Sequence, residues 1–386
     1  MADAPPSILH LHSGFNLGGK EARAVRLMNL WGGRARHSII SADPQARGAA
    51  AAIAPDVACD FPHDVLPPLH GLPGLRRYWR WAQAMRRFDL VLSYNWGAMD
   101  GVMAHRLFSP FLKLPALIHH EDGFNEDEAE RLKSKRNHFR RLALARADAL
   151  VVPSARLHAI ARTVWRQPES RVRQIANGID VDAYAIPPRP NAIPGLIRSA
   201  KPPEKLIVGT LAGLRAVKNL PRLVRAVAPL KDRLQLVIVG EGPERDAILS
   251  QARALGVEDI HLPGFLPTPS HYVGLFDIFA LSSDSEQFPI SLVEAMAAGL
   301  PVVSTDVGDV RTMVAAPNRD MIVPAQAEAA MTAAFARLCG DGVLRAALGE
   351  ANRRKARQEY READMVRHYA ALYEGAMGQP GALSAS

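Results

Sequence analysis

Short apolar runs alternate with segments of helical periodicity along the whole chain. The runs in the first half read SILHLHS, HSIISA, FDLVLSYN, LPALIHH and ADALVVPS, and those in the second read KLIVGTLAG, LQLVIVGEG, IHLPGF, DIFALSS and PVVSTD. Continuous apolar strands separated by helices are typical of parallel sheets that are buried on both faces. Because the pattern occurs twice, we predict two α/β domains.

A proline-rich stretch separates the two series of strands. Residues 186–204 contain six prolines and no strong periodicity, which favours a linker. We therefore expect an N-terminal domain at 1–188, a linker at 189–204 and a C-terminal domain at 205–386. The segment from about 341 to 377 has helical spacing and could pack on either domain, including back on the N-terminal one. The small and polar residues 378–386 are expected to be disordered.

The bulk composition narrows the protein class. Cys59 and Cys339 lie far apart and match neither zinc nor redox spacing, which fits a reducing compartment. The sequence contains neither an uninterrupted apolar stretch of about 18 residues nor a signal-peptide pattern. We therefore expect a soluble or peripheral cytoplasmic protein.

Positive charge is concentrated in the first half of the chain. Residues 1–190 hold 26 Lys and Arg against 18 Asp and Glu, whereas residues 191–386 hold 21 of each. This asymmetry indicates an anionic partner, for which a membrane surface, a phosphorylated acceptor and nucleic acid are all open.

The most informative segment is EQFPISLVEAMAAGLPVVST, residues 286–305. Pro289 interrupts the chain before a helix that should begin near Ser291. The first backbone N–H groups of a helix lack intrahelical acceptors, so those from Ile290 to Leu292 could bind a diphosphate.

Two carboxylates flank this predicted helix start, Glu286 and Glu294. Both could accept hydrogen bonds from the hydroxyls of a ligand. A structural alternative exists for Glu294, because Ser291 and Glu294 also have the spacing of a capping box.

A second candidate segment is VGTLAGLRAVKNL, residues 208–220, where a predicted strand leads into a helix. When a bond to a bound diphosphate breaks, negative charge develops on the leaving oxygens. A fixed cation in a cleft can stabilise that charge without a metal. Lys218 is the best candidate for this cation.

The glutamate pair followed by AMAAGLPVV resembles the signature of glycosyltransferase family 4, a retaining family with the GT-B fold. The resemblance implies two Rossmann-like, doubly wound parallel-sheet domains that face each other across a cleft. It also implies that Glu286 binds hydroxyls of the transferred sugar, that Glu294 binds the ribose, and that Pro289 belongs to the donor site.

One position departs from the family pattern. The family has a motif like GRLxxxKN, and the present AGLRAVKN places Gly213 where the arginine normally stands. Arg215 could reach the same phosphate, Lys218 could act alone, or activity could be weakened or lost. A solvated loop arginine is the structural alternative for Arg215.

Further segments resemble the family less specifically. Gly18 and Gly19 resemble its glycine pair before a helix, which would allow close approach of the donor. In IHHEDG, His119 stands where a family histidine contacts the transferring sugar, with His120 as the fallback. The alternative is that these histidines have a structural role. Gly264 and Phe265 stand where the family backbone brackets the nucleobase.

The resemblance implies a retaining hexosyltransferase that uses a nucleotide sugar as co-substrate and requires neither a metal nor another cofactor. Its acceptor would be a glycan or a lipid-linked molecule in polysaccharide or glycoconjugate biosynthesis. Two alternatives remain open, an inactive nucleotide-sugar-binding relative and a basic nucleic-acid-binding protein.

Two basic stretches are predicted to be helical, RRYWRWAQAMRR at 76–87 and RLKSKRNHFRRLALAR at 131–146. Arginines interleaved with aromatic residues suit an anionic lipid interface on the inner face of a membrane. The alternative is a solvated face whose aromatics belong to the core. Nucleic-acid binding is not expected, because no recognised module is present.

Overall fold

In the computed structural model, the described residues are 4–16, 18–69, 71–72, 74–124, 126–128, 131–196 and 205–384. They form two compact units. Unit 1 comprises Met1–Asn177 together with Asp364–Ser386, and unit 2 comprises Gly178–Ala363. Each unit has its own parallel sheet with helices on both sides, so the predicted α/β class is confirmed.

Unit 1 contains a seven-stranded parallel sheet in the order β3-β2-β1-β4-β5-β6-β7. The strands are β1 Ser7–His12, β2 Arg36–Ser41, β3 Ala58–Asp60, β4 Leu90–Tyr94, β5 Ala116–His120, β6 Ala149–Val152 and β7 Val172–Gln174. The helices are α1 Gly19–Trp31, α2 Leu75–Met85, α3 Met99–Phe108, α4 Ser134–Ala143 and α5 Ala155–Thr163. All five strands expected in the first half are present.

The two faces of this sheet bury different helices, because successive side chains of a strand point to opposite faces. Leu9 and Leu11 of β1 share a core with residues of α2, α3 and α5. Ile8 lies in the other core, with α1 and with the last helix of the chain.

Unit 2 contains a six-stranded parallel sheet in the order β10-β9-β8-β11-β12-β13. Its strands are β8 Leu206–Leu211, β9 Leu234–Val239, β10 Ile260–Gly264, β11 Ile278–Leu281, β12 Val302–Thr305 and β13 Ile322–Val323. Its helices are α6 Leu220–Val227, α7 Arg245–Ala254, α8 Ile290–Ala297, α9 Val310–Met313, α10 Glu328–Gly340 and α11 Gly342–Glu359. The chain ends in α12 Glu362–Met377.

Each sheet has one point where the strand order reverses, between β1 and β4 in unit 1 and between β8 and β11 in unit 2. In doubly wound sheets, ligands bind outside the carboxyl ends of the strands at this switch point. These two edges are therefore the places where a ligand site is expected.

The division between the units falls at Asn177–Gly178, earlier than the expected boundary at residue 188. Residues after it pack within unit 2: Ile193 is buried, and the Arg189 N–H donates to His271 O at 2.8 Å. Gly178 lies so close to the backbone of Arg361 that a Cβ on this glycine would be 2.6 Å from Arg361 O. Of the expected linker, residues 197–204 lie outside the described residues.

The last helix, α12, lies with unit 1 from Asp364 onward. Tyr369 and Tyr373 are buried in the core that also contains α1. The expectation of disorder after residue 377 is wrong for residues 378–384, because Leu383 is buried and its N–H donates to the Glu374 carboxylate at 2.9 Å.

Candidate functional site

Two charged side chains meet at the switch point of unit 2. Lys218 lies in the loop after β8, and Glu286 lies in the loop after β11. Lys218 Nζ is 2.5 Å from Glu286 Oε1, and the Ser283 hydroxyl donates to the same oxygen at 2.7 Å. Both charged side chains are mostly shielded from solvent. The structure thus brings together two of the predicted catalytic residues, which are far apart in sequence.

The loops that carry this pair are hydrogen-bonded to each other. The Asp284 N–H donates to Val217 O at 2.9 Å, and the Ser282 hydroxyl donates to Lys218 O at 3.0 Å. Asn219 adopts a left-handed conformation (φ 42°) and caps α6, which turns the chain immediately after Lys218. The backbone of both loops is therefore held independently of the Lys218–Glu286 ion pair.

Gly308 lies directly against the backbone of the loop that carries Glu286. Its φ is +58°, and a Cβ at this position would be 2.3 Å from Glu286 O. Only glycine combines that backbone conformation with so close an approach. The sequence pattern did not identify this residue as part of the site.

The helix after Glu286 begins as the sequence suggested. Helix α8 starts at Ile290, and Pro289 is its N-cap with φ −70°. Since proline has no side-chain acceptor, it cannot cap the free N–H groups of the first turn. The N–H groups of Ile290 and Ser291 therefore lie at an open helix start, where an anion is favoured.

The capping-box alternative for Glu294 is wrong. Because α8 begins at Ile290, Ser291 lies inside the first turn and is not the N-cap. Instead, the Glu294 carboxylate accepts a hydrogen bond from the Tyr184 hydroxyl at 3.1 Å. Burial raises the pKa of Glu294 to about 7, and the Tyr184 hydrogen bond opposes this rise. Sequence reasoning missed Tyr184, whose only signal is its place four residues after Asp180.

Gly264 and Phe265 lie at the carboxyl end of β10, beside the turn that follows β9. Gly264 O accepts from the Gly240 N–H at 2.9 Å, and a Cβ on Gly264 would be 3.1 Å from a Glu241 carboxylate oxygen. A cavity of about 420 Å³ opens here, lined by Glu241, Gly264 and Arg245 among others. Phe265 is 60% exposed, so its ring is free for contact with a planar ligand.

The glycine pair of unit 1 lies at the start of α1. Gly18 is the N-cap in an extended conformation, and Gly19 is the first helical residue. Lys20 and Glu21 in the first turn form an ion pair. Leu17, which completes the motif, lies outside the described residues. The donor contact expected of Gly18 and Gly19 stays a prediction.

His119 and His120 are placed differently from a histidine exposed to a sugar. His119 has no exposed surface, and its Nδ1 is 2.9 Å from the Ser93 hydroxyl. His120 is also buried, with Nε2 2.8 Å from the Tyr373 hydroxyl. Both rings are packed into unit 1, so direct contact with a ligand would require these packed groups to move.

His120 belongs to a cluster of buried histidines in unit 1 that also contains His10, His12 and His37. His10 Nε2 lies 3.0 Å from His37 Nδ1, and the His12 ring stacks on Tyr94 with centroids 4.1 Å apart. Burial lowers the pKa of all four histidines, in the case of His37 to about 4. Alternation along β1 could have signalled this cluster, since His10 and His12 share a face.

Two family models divide the chain between them. The model of Glycosyltransferase Family 4 matches residues 17–183, and the model of Glycosyl transferases group 1 matches residues 197–355. Together they cover the sequence segments that carry the motifs of both units. The chain belongs to glycosyltransferase family 4. The predicted family is therefore confirmed.

Relatives with curated descriptions match parts of this family 4 chain. EpsF of Bacillus subtilis is 33% identical over 175 residues, which is 44% of each chain. The N-acetylgalactosamine-N,N'-diacetylbacillosaminyl-diphospho-undecaprenol 4-alpha-N-acetylgalactosaminyltransferase of Campylobacter jejuni is 40% identical over 90 residues, 23% of this chain and 25% of that protein. The matched region thus spans less than half the length of both relatives.

Solved structures show the fold of this family 4 protein. HepE of Anabaena, determined in complex with UDP, has a TM-score of 0.76 at 18% identity, covering 96% of this chain and 100% of that chain. At this identity the likeness establishes the fold alone, which is GT-B.

The Arg215 side chain lies next to Gly213, the position at which the family normally has an arginine. A Cβ placed on Gly213 would be 3.6 Å from Arg215 Nε, so the Arg215 side chain lies beside the position of the missing side chain. Arg215 is exposed to solvent. The role of Arg215 as a replacement cation therefore stays a prediction, and so does the alternative of a solvated loop arginine.

Proposed function

We propose that this protein is a retaining glycosyltransferase that binds the diphosphate of a nucleotide sugar at the β8–β11 edge of unit 2. The observation that carries the proposal is the placement of Lys218, Glu286 and the open start of α8 at one switch point. A lysine and unpaired helix N–H groups both favour the phosphates. Glu286 and Glu294 supply acceptors for sugar and ribose hydroxyls.

The Lys218–Glu286 ion pair defines what each residue would do when the donor binds. A diphosphate would compete with Glu286 for the Lys218 ammonium, which frees carboxylate lone pairs for hydroxyl groups. The lysine would then stabilise charge on the leaving phosphate. Retention of configuration is proposed from family membership and not from the geometry.

We also propose the classes of donor and acceptor. HepE was solved with UDP and with UDP-glucose, which supports a nucleoside-diphosphate hexose as the donor. The Campylobacter relative is named for a diphospho-undecaprenol acceptor, which supports a glycan or lipid-linked acceptor in glycoconjugate biosynthesis. The proposed location is the cytoplasm, with peripheral contact to the inner face of a membrane.

The decisive experiment measures release of nucleoside diphosphate from UDP-, GDP- and ADP-hexoses in the presence of acceptor extracts. Lys218→Ala and Glu286→Gln should each lower kcat by about 10²- to 10³-fold, the usual effect of removing one group that stabilises the transition state. Lys205→Ala is the matched control, because Lys205 forms an ion pair with Asp259 before β8 and β10 begin, away from the switch point.

The possible outcomes separate the alternatives. Wild-type rates in both Lys218→Ala and Glu286→Gln would reject the site. Nucleotide-sugar binding without turnover would identify an inactive relative. Metal independence stays a prediction, and unchanged rates in excess EDTA are the expected result.

The membrane proposal rests on helix α2. Its outer surface exposes Leu75 (72%) and Trp79 (43%) together with Arg76 and Arg80. Arg86 is exposed directly after the helix, and the helix sequence contains no acid. Each basic residue near an anionic surface contributes about 1 kcal/mol. Apolar side chains ringed by arginines suit an interface of anionic lipid.

Two of the three aromatics expected at that interface belong to the core instead. Tyr78 and Trp81 are buried, and the Trp81 Nε1–H donates to Pro68 O at 3.2 Å. Both predicted helices are present, as α2 and as α4 with its following turn Leu144–Arg146. No helix in the described part of the chain is long and apolar enough to cross a membrane.

A flotation assay with vesicles of phosphatidylglycerol and phosphatidylcholine tests the membrane proposal. The wild type should float with the vesicles at low salt, and Trp79→Ser with Leu75→Ser should reduce the bound fraction. Val343→Ser removes an exposed apolar side chain from unit 2 and serves as the control. No flotation of the wild type, or a salt-sensitive shift of labelled RNA or DNA instead, would reject the lipid surface.

A further inference from the structure

Tyr184 reaches the candidate donor site from a segment outside the family motifs. It lies in the 3-10 turn Val181–Ala185, immediately after the chain enters unit 2. The Asp180 carboxylate caps this turn by accepting from the N–H groups of Asp182 and Ala183 at 3.2 and 3.3 Å. The turn therefore holds Tyr184 on a fixed backbone next to α8.

The Tyr184 hydroxyl donates to one oxygen of Glu294, at 3.1 Å. A hydrogen bond accepted on Oε1 restricts the rotation of the carboxylate, and it therefore also restricts the direction of Oε2. Two neighbouring hydroxyls of a ribose need a carboxylate in one fixed orientation for both of their hydrogen bonds. The geometry therefore gives the Tyr184 hydroxyl a task that a phenylalanine ring would not perform.

We propose that Tyr184 is a positioning residue that orients Glu294 for the ribose diol of the nucleotide. This inference rests on the proposed function, because it takes the ligand of Glu294 to be a ribonucleotide. Tyr184 acts through Glu294 and need not itself touch the ligand.

The groups around Glu294 determine how the proposal can be tested. Tyr184 faces it from the turn, and Asp180 lies near Tyr184. Tyr272, whose hydroxyl donates to Leu266 O at 3.2 Å, lies before β11. From α11, Arg353 donates to Ala298 O at 3.2 Å, at the far end of α8. The adjoining strands β11 and β12 contain no ionisable side chain.

Among these groups, only the Tyr184 hydroxyl is hydrogen-bonded to the Glu294 carboxylate in the described structure. Burial raises the pKa of Glu294 to about 7, and the Tyr184 hydrogen bond favours the ionised form. Removal of that hydroxyl should therefore raise the pKa of Glu294 further. Ligand affinity that depends on ionised Glu294 would then be lost at a higher pH.

The experiment is calorimetric titration of the full-length wild type and Tyr184→Phe with UDP, GDP and ADP between pH 6.0 and 8.5. For a nucleotide that binds the wild type, affinity should fall as the pH decreases through about 7. In Tyr184→Phe this midpoint should move to higher pH, and affinity at pH 7 should be about 2- to 10-fold lower, as expected for one hydrogen bond. The matched control Tyr272→Phe should keep the wild-type midpoint.

A second probe separates positioning from a general structural effect. The 2′,3′-dideoxy form of the same nucleotide lacks the diol, so wild type and Tyr184→Phe should bind it equally. The inference is overturned if Tyr184→Phe keeps the wild-type pH midpoint and the wild-type preference for the ribonucleotide. Failure of the wild type to bind any of the three nucleotides would overturn the proposed function together with the inference.

Discussion

Acidification should unfold unit 1 because of its buried histidines. In the unfolded chain a histidine binds a proton near pH 6.5, whereas burial lowers the pKa of His10, His12, His37 and His120 in the folded unit. Below pH 6.5 the unfolded state therefore binds more protons, so the free energy of unfolding decreases as the pH falls. At pH 7.5 both states are neutral at these sites, and the effect is absent.

The magnitude follows from the number of histidines and the width of the pH interval. One pKa unit corresponds to about 1.4 kcal/mol, so lowering the pH from 7.5 to 5.0 costs about 2 kcal/mol for each histidine that stays neutral in the folded state. Four such histidines give about 8 kcal/mol. A typical domain is stable by only about 5–15 kcal/mol, and unit 1 should therefore be close to its unfolding transition at pH 5.

Tryptophan emission during urea unfolding is the appropriate assay, because it reports on unit 1 alone. All five tryptophans of the chain lie in unit 1: Trp31, Trp79, Trp81, Trp96 and Trp165. The urea midpoint should fall steeply between pH 7.5 and pH 5.0. A midpoint that does not change over this interval would refute the reasoning.

The variant His12→Phe tests the cause. Neither ring nitrogen of His12 has a hydrogen-bond partner among the described residues, and the ring stacks between Tyr94 and the edge of Phe15. Phenylalanine can occupy this space without binding a proton. Between pH 7.5 and 5.0, the free energy of unfolding of the variant should decrease by about 2 kcal/mol less than that of the wild type. Equal pH dependence in both proteins would show that His12 does not contribute.

Two further predictions concern charged groups in the two units. Arg215→Ala should lower kcat by about 10- to 100-fold if Arg215 replaces the family arginine. Adding Gly213→Arg to that variant should restore activity in the diphosphate-release assay. An unchanged rate in Arg215→Ala would leave Lys218 as the proposed cation and remove Arg215 from that role. Arg140→Met should lower the free energy of unfolding of unit 1 by about 3–5 kcal/mol, measured by urea unfolding. The reason is that the fully buried Arg140 pairs with Glu121 at 3.3 Å and with Glu128 at 3.0 Å. A decrease of less than about 1 kcal/mol would contradict this account.

The sequence predicted those parts of the fold that depend on local pattern. Ten apolar runs predicted ten strands, because parallel strands buried on both faces need continuous apolar sequence. The short edge strands β3, β7 and β13 were not predicted, since strands of only two or three residues are too short to carry a periodic signal. The boundary was placed too late because prolines mark irregular backbone, which here is packed against unit 2.

The site could be predicted where chemistry is encoded in neighbouring residues. Lys218 and Glu286 were both identified from local motifs, but only the sheet topology shows that they form an ion pair. Tyr184 and Gly308 were missed because their roles arise from contacts with residues more than 20 positions away. The burial of His119 was missed for the same reason: strand β5 lies between β4 and β6, which a single sequence pattern does not reveal.

Because α12 packs in unit 1, the two units complete their cores at different stages of synthesis. Unit 2 is one uninterrupted segment, Gly178–Ala363, and can complete its core before α12 has been synthesised. Unit 1 receives Tyr369 and Tyr373 only after the whole of unit 2 has been synthesised, so its α1-facing core stays uncovered until then. A premature stop codon shortly before residue 364 would therefore spare the later-encoded unit and cripple the one encoded first.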